Sequence, residues 1–132
     1  MKLRIFIQAV LLALSGCATV SDAERMALMD RINKTIPTCA GVEECNAKWE
    51  AAQLWVVHNA SYKIQTATTV LIETYNPAPS SPSLAARITK EPLGGGKYRI
   101  LVALWCDNMF GCVPSAFDKA LDFNKTVGAA KP

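Results

Sequence analysis

A chain of 132 residues with 14 basic and 11 acidic side chains, one histidine and five cysteines is long enough for one real hydrophobic core and short enough for crosslinks to matter. The formal charge of +3 is spread without a run of like charges or a basic stripe, which excludes a nucleic-acid surface. No cofactor-binding signature is present, and none is expected.

The first element is at the N-terminus. Lys2 and Arg4 precede an almost wholly apolar run from Ile5 to Leu14, which Leu14-Ser15-Gly16-Cys17 closes. Roughly ten apolar residues are too few to cross a bilayer that needs about twenty, so the pattern reads as an export signal. Its last four residues resemble the lipobox of bacterial lipoproteins processed by signal peptidase II. That resemblance implies cleavage before Cys17, a diacylglyceryl thioether on its sulfur and acylation, palmitate included, of the freed amine. An ordinary secretory signal with an accidental cysteine is the competing reading. The expected plan is a signal peptide over 1–16, a lipidated tether over 17–20 and one globular domain over 21–132. Removing residues 1–16 takes Lys2 and Arg4 with it and leaves 116 residues at a net charge of +1. Ala18 stands where Asp would favour inner-membrane retention in enterobacterial-type sorting, so the outer membrane is the expected location.

Four cysteines then remain, Cys39, Cys45, Cys106 and Cys112, and an even number in an exported chain points to disulfides. Three connectivities are open. Equal short intervals make the local pairs Cys39–Cys45 and Cys106–Cys112 the expected ones, each worth about 2 kcal/mol in the chain-entropy model. A four-thiolate zinc site is the rival, but its close pairs are usually two to four residues apart.

Ser21-Asp22-Ala23-Glu24 reads as a capping box. It opens a helix whose stripe is Leu28, Met29, Ile32 and Ile36, ended by Pro37. A second helix runs from about Glu43 to Ala60, with Cys45, Trp49, Ala52 and Val56 on one face and Trp55 well round the cylinder. From Tyr62 the texture turns β-rich. Tyr62–Thr66 and Val70–Tyr75 form a hairpin, and the proline-rich loop 76–83 holds neither strand nor helix. Strands follow over Leu84–Glu91 and Lys97–Cys106, reversed by Gly94-Gly95-Gly96. A phosphate-cradling loop at these glycines would need a helix after it, and a strand follows instead.

The last of these strands is apolar on both sides. Tyr98, Ile100, Val102 and Leu104 point one way, Leu101, Ala103 and Trp105 the other. Such a strand is normally covered on both faces, and the alternative is a partner-binding patch on the second face. Cys106 to Cys112 makes a tight loop. Pro114 and Ser115 start a final helix with Phe117, Ala120, Leu121 and Asn124 on one side and Gly128 as its stop. The expected class is α+β: an antiparallel sheet of three to four strands with two N-terminal helices and one C-terminal helix.

Several stretches are similar to a family of uncharacterised proteobacterial lipoproteins. They are Cys45 with Lys48-Trp49, Ala51-Ala52, Trp55-Val56, Lys63-Ile64-Gln65, Glu73-Thr74-Tyr75-Asn76-Pro77, Cys106 to Pro114, and Asp122-Phe123-Asn124. The resemblance spans about Cys39 to Asn124 and implies the same architecture and an envelope location, with no assigned activity.

Chemistry is thinly signalled. His58 is a lone histidine on a helix flank without a neighbouring nucleophile. Glu73, Asp107, Asp118 and Asp122 are the carboxylates considered; Asp118 is accounted for by helix capping. Ser80, Ser81 and Ser83 have no base at a recognisable spacing. The tripeptides at Asn33, Asn59 and Asn124 match glycosylation sequons, read as chance in a bacterial chain. Catalytic candidates are therefore weak (His58, Glu73, Asp107), and no metal is expected. The better candidates for binding are Met109 and Phe110, at the tip of a crosslinked loop, and Trp55. For Phe110 the competing role is a plug folded back over the core. The expected function is a non-catalytic, membrane-anchored envelope lipoprotein contacting an envelope protein or wall component. The alternatives are a small envelope hydrolase using a carboxylate or His58, and an enzyme inhibitor presenting the Cys106–Cys112 loop.

Overall fold

A computed structural model describes residues 20–132; the expected signal peptide over 1–16, Cys17 and the expected tether before Val20 lie outside the described residues. In chain order the elements are α1 (Asp22–Lys34), β1 (Thr38–Ala40), α2 (Val42–Asn59), β2 (Ile64–Ala67), β3 (Leu71–Thr74), β4 (Ala85–Gly94), β5 (Lys97–Trp105) and α3 (Ala116–Ala129). The strands form one antiparallel sheet in the order β1-β5-β4-β3-β2. The class is α+β, with five strands where three to four were expected.

Local chemistry accounts for the element ends. Ser21 accepts from the Glu24 backbone at 3.2 Å while the Glu24 carboxylate accepts from the Ser21 N–H at 2.8 Å, so two orphan donors of α1 are satisfied reciprocally. Ser115 caps α3 without the reciprocal bond, its side chain accepting from the Asp118 N–H. Gly94, Gly95 and Gly96 all have positive φ, between 61° and 90°, a conformation that side-chain-bearing residues resist. The β4–β5 hairpin therefore closes there.

The core lies between one sheet face and the helices α2 and α3. Ile72, Ala86, Ile88 and Ile100 rise from the sheet to meet Ala52, Trp55, Val56, Phe123 and Val127. The Phe123 ring stands edge-on to Trp55, with centroids 5.2 Å apart, an arrangement the ring quadrupoles favour. Both tryptophans of α2 are buried although they lie on different sides of the helix, because each indole N–H finds an acceptor. Trp49 donates to the Thr68 carbonyl at 3.0 Å and Trp55 to Asp122 Oδ2 at 2.8 Å.

Four expectations need correction. β1 was not anticipated: three residues carry too little pattern, and the strand exists because Thr38, Cys39 and Ala40 pair with Arg99, Tyr98 and Lys97. The stripe of α1 is not a core face, since no residue of that helix is buried and Met29 is 44% exposed. α1 sits at the margin of the helix layer, against α3, where the buried Asn124 amide donates to the Ile32 carbonyl at 3.0 Å and to Thr35 Oγ1 at 3.1 Å. In α3 the buried side is Ala120, Phe123, Asn124 and Val127, with Phe117 and Leu121 only half-buried, and the helix runs through Gly128 to Ala129. Finally, no described helix covers the second face of β5. Ala103 is exposed there and Leu101 and Trp105 are half-buried. Polar neighbours shade them: the Glu73–Arg87 pair, the Glu91–Arg99 pair at 2.8 Å, and the Arg87 guanidinium 5.7 Å from the Trp105 ring centroid.

Candidate functional site

At the end of the sheet where β5 stops, two irregular segments lie against each other: the proline-rich loop 75–84 and the crosslinked loop Cys106–Cys112. The Asp107 and Val113 N–H groups donate to the carbonyls of Ser81 and Pro82 at 3.1 and 2.9 Å. Asp107 Oδ2 accepts from the Ser80 N–H at 3.1 Å, and the Asn108 amide donates to the Ser80 carbonyl at 2.9 Å. These four bonds tie the loops across a sequence gap that neither could bridge alone. Asn108 then turns its own segment, its Oδ1 accepting from the Phe110 N–H at 2.9 Å, an Asx-type local bond. Gly111 takes φ 99° to bring the chain back to Cys112.

Tyr62 anchors the other side of the platform, and sequence reading gave it no such role. Its hydroxyl donates to Ser81 Oγ at 2.9 Å and accepts from the Ala78 N–H at 3.0 Å. A tyrosine at a strand start looks like ordinary β-patterning, and its partners lie sixteen and nineteen residues away. Nothing local betrays the contact.

The tip of this clamped loop is apolar and open to solvent. Met109 is 89% exposed, Phe110 92% and Val113 71%. Phe110 therefore does not fold back over the core. Crosslinked at its base and hydrogen-bonded along its flank, the loop has little entropy left to lose on docking.

The remaining candidates are scattered. Cys39–Cys45 and Cys106–Cys112 are both disulfides, with S–S distances of 2.01 and 1.98 Å, so those four sulfurs hold no zinc. Trp55 is a core residue, 4% exposed, and offers no surface. His58 is exposed in the last turn of α2, and no described hydrogen bond joins it to Glu73, Asp107 or a serine. Glu73 is committed to Arg87 on the open sheet face. Asp118 lies in the first turn of α3, while Asp122 receives the Trp55 indole. Ser81 Oγ accepts from the Tyr62 hydroxyl and from the Ser83 N–H. Among the described residues no cluster of three or more His, Cys, Asp or Glu could hold a metal ion. Of the sequon asparagines, Asn124 is buried at 3% exposure, and Asn59 holds Lys119 at 2.8 Å.

Two carboxyl groups are held below the ordinary glutamate range. Glu24 is lowered first by the Ser21 backbone N–H and then by its hydroxyl. Glu44 is lowered first by its hydrogen bond from Lys48 and then by the Ala40 N–H. Both are structural: one caps α1, the other braces the Cys39–Cys45 loop, where Lys48 also donates to the Thr38 carbonyl at 2.7 Å. No family model, curated protein or solved structure matches the chain.

Proposed function

We propose that the protein is a lipid-anchored envelope lipoprotein, moored through Cys17 to a bacterial membrane, the outer one in preference to the inner. It acts without catalysis by docking the tip of the Cys106–Cys112 loop onto another envelope protein. The observation that carries this reading is the pairing of a braced loop with a bare apolar tip: Met109 and Phe110 stay 89% and 92% exposed while four hydrogen bonds and a disulfide fix what lies beneath them. Methionine and aromatic side chains are enriched in interface cores. The lipobox resemblance at Leu14-Ser15-Gly16-Cys17 supports the anchor, and two disulfides suit an oxidising compartment.

The test has two arms. Mass spectrometry of the protein from membranes should find residues 1–16 absent and acyl chains on Cys17; an intact N-terminus without acyl chains removes the anchor. Affinity capture after crosslinking in intact cells should lose its specific partner when Met109 and Phe110 are both changed to Ala, in a variant that still unfolds cooperatively. An unchanged partner set removes the docking role.

A further inference from the structure

β1 accompanies only the start of β5. Thr38, Cys39 and Ala40 pair with Arg99, Tyr98 and Lys97, and the Ile100 N–H then donates to the Pro37 carbonyl at 2.8 Å. Pro37 has no N–H to return, so the ladder stops there. β5 continues to Trp105. Peptide groups alternate in direction along a strand; because that of Ile100 faces away from β4, those of Val102 and Leu104 do too. Among the described residues, nothing pairs with the N–H or C=O of Val102 or Leu104 on that side.

Beside this bare edge lies an apolar groove of about 230 Å³, lined by Met29 and Ile32 of α1, Val102 and Leu104 of β5, and Phe117 and Ala120 of α3. α1 buries none of its own residues. The molecule thus has a helix whose apolar stripe is at most half-buried, a strand with unused hydrogen-bonding groups, and a groove between the two.

We infer that the free half of β5 is a strand-addition site, which takes an extended segment of a partner protein with apolar side chains at alternate positions. Unpaired strand-edge groups are satisfied by an extended backbone. Residues opposite Val102 and Leu104 in an antiparallel ladder point their side chains to the same face, which is the groove. A second copy of the chain is a poorer occupant. Pairing through the same edge would bring its α3, which packs over its own β5, into the place that α1 holds. This site is separate from the loop tip and stands whether or not the tip docks.

The probe is a short acetylated peptide of alternating valine and threonine with lysine at each end, added in excess to the isotopically labelled full chain in detergent. Backbone amide exchange at Val102 and Leu104 should slow by about tenfold or more, while Leu101 and Ala103, already bonded to β4, stay as they were. N-methylating the valines removes the donors that face β5 and should abolish the protection. N-methylating the threonines blocks the far edge and should leave it intact. Three results overturn the inference: no protection from the parent peptide at millimolar concentration, equal behaviour of the two methylated forms, or protection that grows with protein concentration in the absence of peptide. The last would assign the edge to a second copy.

Discussion

The two crosslinked loops have the same spacing, a sequence separation of 6 between cysteines, and opposite roles. Cys39 and Cys45 are 3% and 4% exposed and join an edge strand to the first turns of α2. Cys106 and Cys112 are only half-buried and carry a tip whose Met109 and Phe110 side chains are open to solvent. Each loop is also braced by a carboxylate that accepts a backbone N–H: Glu44 from Ala40 at 2.9 Å and Asp107 from Ser80 at 3.1 Å. In the first loop that bracing turns the chain inward, with Lys48 buried across it. In the second it turns outward. Identical covalent chemistry therefore serves packing in one place and display in the other, and the surroundings of the sulfurs decide which.

The largest expected effect comes from breaking the inward loop. Changing Cys39 and Cys45 together to Ala removes a crosslink worth about 2 kcal/mol and leaves space where two buried sulfurs packed. We expect a total loss of about 3 to 4 kcal/mol, read as a lower urea midpoint under non-reducing conditions. The same double change at Cys106 and Cys112 should cost no more than the crosslink, about 2 kcal/mol, and should weaken partner capture more than folding. If the two variants unfold at the same midpoint, the contrast between the loops is wrong. Next comes Lys48→Ala, which strips the donor from the Thr38 carbonyl and from Glu44 and should cost about 1 to 3 kcal/mol. Asp107→Ala removes one hydrogen bond at an exposed position and should cost under about 1 kcal/mol. It should nevertheless speed amide exchange at Ser80, which lies across the platform.

The smallest effect is a pH dependence. Glu44 has a folded pKa below the ordinary value of 4.5, so the unfolded chain takes up a proton first as pH falls. Its contribution is fully present above that value and is lost as pH drops through the folded pKa. A thermal-unfolding series from neutral to acid pH should show this loss, and Glu44→Gln should flatten it. Glu24, lowered by the Ser21 cap, contributes with the same sign.

Features set by near neighbours were legible in the sequence, and features set by distant ones were not. The Ser21–Glu24 box, the Ser115 cap, the glycine reversal and both disulfides depend on residues at most six apart, and all were anticipated. β1 depends on β5, nearly sixty residues on, and three residues of pattern could not announce it. In α3 the seam depends on where the sheet and α1 lie, so the sequence pattern points to Phe117 and Leu121 and passes over the buried Phe123 and Val127. β5 reads as apolar on both sides because composition does not show that arginine and glutamate from β3 and β4 shade its second face. The Cys106–Cys112 spacing itself places Met109 and Phe110 at a loop tip. The clamp beneath them, through Tyr62, Ser80 and Ser81, needed the fold.

Photo-crosslinking from the loop tip in intact cells tests the central claim most directly. With p-benzoylphenylalanine in place of Phe110, irradiation should yield one discrete protein adduct that is absent when the same probe replaces Leu54, an exposed apolar position on α2. Adducts from both positions alike, or from neither, would contradict a docking role for the tip.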